Sequence, residues 1–151
     1  MKYIKSYKIF EDRVDDIINR VKTELFPRME DENIEISISK NQFSIFTKGL
    51  WRFLEGSKTP DISCGMNSPR NPQPFDLNYA QYVHYLIKFM DSSGYKILDF
   101  RIGLQYTGIN VVKNGKLCYK SSHDPVTWVE NHLVEQGNPL IYSIGINFIK
   151  K

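Results

Sequence analysis

The chain has 151 residues, of which 41% are hydrophobic and 25% charged, a composition that fits one globular domain and excludes a disordered or low-complexity chain. Its net charge of +3 permits nucleic-acid binding without arguing for it. Two cysteines, Cys64 and Cys118, form neither a disulfide framework nor a CxxC pair, and no run approaches the roughly 18 apolar residues of a membrane span.

"MKYIKSYKIF" lacks the continuous apolar stretch and cleavage site of a signal peptide. The expectation is a soluble cytoplasmic protein with reduced thiols and no membrane contact. Met1 to Phe10 can alternate as a strand, with Tyr3, Tyr7 and Ile9 on one face. Phe10 to Phe26 has helical spacing at Val14, Ile17, Ile18, Val21 and Leu25. Glu11, Asp12, Asp15 and Asp16 sit where the helix dipole favours acids, and Pro27 is expected to end the helix. Asn33 to Ser39 alternates as a half-buried strand, and "QFSIFTK" reads as its return strand across Lys40-Asn41. "GLWRFLEG" is a strand extension or one helical turn.

Residues 57–76 hold Pro60, Pro69, Pro72, Pro74 and Gly65, and predict a long loop without regular structure. A helix from Asp76 or Asn78 to Ser92 follows, stopped by Gly94. Tyr79, Val83, Leu86, Ile87 and Met90 share one sector of it, and Tyr82, Tyr85 and Phe89 widen that sector. So wide an apolar arc needs a second neighbour besides a sheet, either the proline loop or a partner. Tyr95 to Tyr106 reads as a strand, with Gly103 and Gly108 marking a bulge or turn. Asn114-Gly115 predicts a type I′ hairpin turn. Asp124-Pro125 starts a last helix with Val126, Val129, Leu133 and Val134 facing inward, ended by Gly137-Asn138-Pro139. "LIYSIGINFI" is apolar enough to be a central strand.

The order predicts a single α+β domain over residues 1–151. Its largely antiparallel sheet has five to six strands, with three helices mostly on one face. If the N-terminal strand is real, the first half follows the ferredoxin-like βαββαβ order.

No pattern carries a defined chemistry. Cys64, His123 and Asp124 could supply a thiol, a base and an orienting group, but Cys64 opens no predicted helix that would lower its pKa. His84, His123 and His132 lie on separate elements without ligand spacing, and no phosphate-binding glycine loop occurs. The expectation is no catalytic residue, no metal and no cofactor. Residues 11–35 carry nine acids against four basic residues, so the remainder carries a net +8. Lys96, Arg101, Lys113, Lys116 and Lys120, with Tyr106 and Tyr119 among them, could form a sheet face that stacks single-stranded nucleic acid. The residue types that dominate protein interfaces recur at Trp51-Arg52-Phe53, Arg70 in the proline stretch, Tyr82, Tyr85, Phe89 and Trp128. They favour a protein-binding or self-associating surface.

"MKYIKSYKIFEDRVDDIINRVKTELF", the Ile-rich strand pair after it and "YVHYLIKFMDSSGYKI" resemble a loose group of small accessory proteins of tailed bacteriophages. The resemblance covers about the first hundred residues and brings no known active site, so no functional residue is transferred. It implies a phage protein in the bacterial host cytoplasm. Such a protein would bind and inhibit a host protein or complex, including defence systems, or occupy a minor virion or assembly position.

Overall fold

The computed structural model describes residues 13–29, 35–40, 59–68, 72–75 and 77–151. It is an α+β domain with a six-stranded sheet and three helices. Helix α1 covers residues 13–29, α2 Leu77–Ser92 and α3 Pro125–Glu135. The strands are β1 Glu35–Lys40, β2 Ile62–Asn67, β3 Gln73–Pro74, β4 Tyr95–Gly103, β5 Gly108–Lys113, β6 Lys116–Leu117, β7 Leu140–Ile141 and β8 Ser143–Lys150. The sheet order is β1-β2-β8-β4-β5-β6, and every neighbouring pair is antiparallel. Strands β3 and β7 form a separate two-stranded ladder.

Helix α1 buries Val14, Ile17, Ile18, Val21 and Leu25, the residues its spacing predicts. Pro27 does not end it. A proline ring removes one N–H and crowds the carbonyl four residues back. The helix adapts by widening to a π-helical turn over Val21–Leu25, where the Phe26 N–H donates to the Val21 carbonyl, and continues through Phe26–Met29.

The stretch from 57 to 76 is not a continuous loop. Residues Ile62–Asn67 form β2, an interior strand between β1 and β8. Ile62, Cys64 and Met66 alternate into the core, with Ser63, Gly65 and Asn67 between them. The prolines lie outside this run, where their missing N–H removes no ladder bond from it. The expected N-terminal strand and the return strand at 42–48 fall outside the described residues, as does "GLWRFLEG". The ferredoxin-like order would set β4 at a sheet edge, whereas β4 lies between β8 and β5.

One core joins the helices to one face of the sheet. Phe100, Ile102, Ile144, Ile146, Phe148, Ile62 and Met66 supply the sheet side, and Val83, Leu86, Met90, Val129 and Leu133 the helix side. Full burial of a side chain such as Phe100 or Phe148 contributes about 2–3 kcal/mol. Leu98 and Ile149 are buried outside this cluster. The wide apolar arc of α2 has its second neighbour in α1. Phe89 and Tyr82 are half-buried against the core, and the Arg20 guanidinium sits 5.1 Å from the centre of the Phe89 ring. Ala80, on the other flank, is buried with Val126 of α3 nearby.

The hairpin turn is as its residues require. Asn114 and Gly115 have φ of 51° and 76°, and Lys113 pairs with Lys116 across them. Asp124 caps α3 by accepting from the Val126 and Thr127 N–H groups, both at 3.0 Å. The helix ends in a Schellman motif, in which Asn138 N–H donates to the Leu133 carbonyl and Gly137 N–H to that of Val134. Val134 faces outward at 64% exposure, because Leu133 already fills the inward position of that turn.

Candidate binding groove on the sheet

Alternation that sends Ile62, Cys64 and Met66 toward the helices sends Ser63, Gly65 and Asn67 to the opposite face. The same holds for Ser143 and Gly145 of β8 and for Arg101 and Gly103 of β4. Register then sets these residues in rows. Ser37, Gly65, Gly145, Arg101 and Asn110 lie side by side across five strands. Glu35, Asn67, Ser143, Gly103 and Gly108 form the next row. Two glycines directly opposite one another leave a low floor about two strand spacings wide, roughly 10 Å; it is open over Gly145, whereas at Gly65 the Ser37 hydroxyl stands 3.2 Å from where a Cβ would be. A groove of about 550 Å³ stands over this floor. Arg101, Tyr106, Thr107 and Leu104 line one side, and Asn67 and Ser143 line its polar end. No described helix lies across it.

The walls are positioned by close approaches. The Ser143 hydroxyl stands in the place a Cβ on Gly103 would need, and the Arg101 guanidinium occupies the corresponding place at Gly108. Leu104 N–H donates to the Thr107 carbonyl at 2.8 Å, closing the β4–β5 turn, and Tyr106 projects from its tip at 91% exposure. Among the described residues, no hydrogen bond or ion pair engages the Arg101 guanidinium. Asp99, two positions before it on β4, accepts from the Asn114 N–H at 3.0 Å and the Asn147 amide at 3.4 Å.

Such a site can hold a ligand. Its described lining has a cation, hydroxyls, an amide and backbone, with no carboxylate, imidazole or thiol. Cys64 lies one residue from Gly65 but points into the core, where burial pushes its thiol up to about 12. His123 and Asp124 are exposed before α3, and the Asp124 carboxylate is committed to its cap. Burial alone would raise that carboxyl, but hydrogen bonds from Thr127, the field of His84 and the Val126 N–H outweigh it and hold it below the ordinary value. No group of three metal-ligating side chains occurs among the described residues.

The candidate nucleic-acid residues are dispersed. Arg101 and Tyr106 meet in the groove. Lys113 and Lys116 face each other beside the Asn114-Gly115 turn, and Lys96 and Lys120 are exposed on β4 and before α3. Tyr119 stacks on Trp128 at 4.6 Å between ring centres, and Trp128 stacks on His132 at 4.6 Å. The Tyr119 hydroxyl donates to the His123 carbonyl, and burial together with the Asp124 charge raises its pKa. Of the candidate partner residues, Trp51, Arg52, Phe53 and Arg70 lie outside the described residues. Tyr82, Phe89 and Trp128 are half-buried, and Tyr85 is exposed with its hydroxyl accepting from Gln81. Sequence reasoning missed Gly65, Asn67, Ser143 and Gly145. The strict alternation of Ile62 to Asn67 was the available signal.

No protein-family model matches this chain, and no curated protein or solved structure matches it. Among the described residues, no helix is long and apolar enough to cross a membrane.

Proposed function

We propose that the chain is a non-enzymatic binding protein that acts sterically on a partner protein through the sheet face around Gly65, Gly145 and Arg101. The glycine pair at the floor of the groove, with Gly145 exposed and a guanidinium beside it that no described residue engages, is the observation that carries this reading. A functionless exposed sheet face ordinarily carries longer side chains over its backbone. The resemblance of the first hundred residues to phage accessory proteins supports a host protein or complex as the target, in the bacterial cytoplasm, with anti-defence inhibition as one form of it.

Gly145→Val tests the surface. A Cβ at Gly145 meets no atom within 4 Å, so valine fills the groove without disturbing the fold. A protein captured from bacterial lysate by the wild type should be lost with Gly145→Val and retained with Tyr85→Ala. Retention by Gly145→Val and loss with Tyr85→Ala would move the contact to the helical side. Single-stranded nucleic acid is the second reading, favoured by the meeting of Arg101 and Tyr106. The dispersal of the lysines weakens it, since polynucleotide affinity grows with the number of phosphates neutralised.

A further inference from the structure

We infer that the groove takes an extended segment of the partner carrying an acidic side chain, with Arg101 as the residue that recognises its carboxylate; this rests on the binding-protein reading above. Charge carries the assignment. Arg101 brings five donors in a planar fork matched to a carboxylate, and among the described residues no hydrogen bond or ion pair engages it. The described lining contains no acid to neutralise it. Asp99 is engaged by Asn114 and Asn147. Glu35, on the same face, stands in β1, three strands from β4 and so roughly 14 Å across the sheet.

Shape selects an extended chain. The Gly65–Gly145 floor lets a backbone approach to van der Waals contact, which a pair of β-carbons would prevent. Asn67, Ser143 and Thr107 supply side-chain donors and acceptors at its margins for peptide groups that lose water there. A nucleic-acid strand would find one cation where several phosphates need neutralising.

The test titrates ¹⁵N-labelled protein with an octapeptide of alternating Glu and Ser. The Gln-Ser octapeptide and octathymidylate serve as comparison probes. The Glu-Ser peptide should move the Gly65 and Gly145 amides and the Arg101 Nε signal. Arg101→Gln should weaken it about tenfold or more, with Arg101→Lys intermediate. The unperturbed remainder of each variant's spectrum reports that it is folded. Equal binding of the Gln-Ser peptide, indifference to Arg101→Gln, or no shifts at millimolar peptide would overturn the inference. Tighter binding of octathymidylate would overturn it in favour of nucleic acid. Concentration-dependent shifts of the same amides without peptide, abolished by Arg101→Gln, would overturn it in favour of a second copy of the chain. If Gly145→Val loses the captured partner while the acidic probe fails, the binding surface stands and only the acidic segment falls.

Discussion

The Arg101 guanidinium rests against Gly108 in the space where any other residue would carry its β-carbon. A Cβ there would stand 2.5 Å from Nη2 and 2.6 Å from Nε. Gly108→Ala must therefore push the guanidinium aside. The displaced atoms are the end of a flexible side chain, and alanine lowers the entropy of the unfolded chain. Stability should change by no more than about 0.5–1 kcal/mol in urea unfolding. Capture of the partner should fall toward the level of Arg101→Gln. Unaltered capture by a folded Gly108→Ala protein would show that the position of the guanidinium is irrelevant.

The two cysteines should separate cleanly in alkylation. Iodoacetamide at pH 8 is expected to modify exposed Cys118 quickly and to leave Cys64 protected until the protein unfolds, as read by peptide mass spectrometry. The raised Cys64 value means that the fold favours the neutral thiol. Its contribution is fully present below the ordinary value of 9.0 and is lost as pH climbs from there toward about 12. Rapid labelling of Cys64 in the native state would contradict its burial.

Asp124 should make the start of α3 acid-sensitive. Its pKa is lowered on folding, so its contribution is present above the ordinary 3.8 and is lost as pH falls through the lower folded value. Asp124→Ala should destabilise by about 1 kcal/mol at neutral pH, and Asp124→Asn, which keeps a capping oxygen, by less. Thermal unfolding followed from pH 7 to pH 2 should show a shallower acid dependence in both variants.

The Tyr119–Trp128–His132 stack gives a contrast within one helix. Trp128→Ala removes two ring contacts and half-buried area, and should cost about 2 kcal/mol or more. Val134→Ala, on the exposed side, should cost under about 0.5 kcal/mol. Similar urea midpoints for the two variants would mean that the stack contributes little.

Much of this fold can be derived from local chemistry. The buried face of α1 follows from the spacing of Val14, Ile17, Ile18, Val21 and Leu25. The turn at Asn114-Gly115 follows from two residues that tolerate positive φ. Asp124 and Gly137 bound α3 for equally local reasons. The failures have a common cause. Strand β2 is six residues long, and Cys64, Gly65 and Met66 carry weak strand preference. Its conformation is imposed by the ladders on either side, from β1 and from β8. Likewise Pro27 is tolerated because packing of Val21 and Leu25 holds the helix while its turn widens. The groove was hidden for a related reason. Gly65 and Gly145 lie far apart in the chain, and only the register of β2 on β8 makes them a floor. Arg101 was visible as a basic residue, but its neighbours were not.

The position of β8 has a consequence for how the chain acquires this structure. β8 follows every other strand in sequence, yet it stands between β2 and β4. Ile62 and its register partner Phe148 are 86 positions apart. Until β8 is in place, the sheet consists of two unjoined pieces, β1–β2 and β4–β5–β6, with β2 and β4 each presenting unpaired backbone. Distant pairing of this kind slows folding, because a long loop must close before its contacts form. Refolding should accordingly show joining of the two ribbons late, with β2 amides gaining exchange protection together with β8 rather than with β1. A nascent chain that has not yet exposed β8 would hold two adhesive strand edges, so protection against aggregation waits for β8 to emerge.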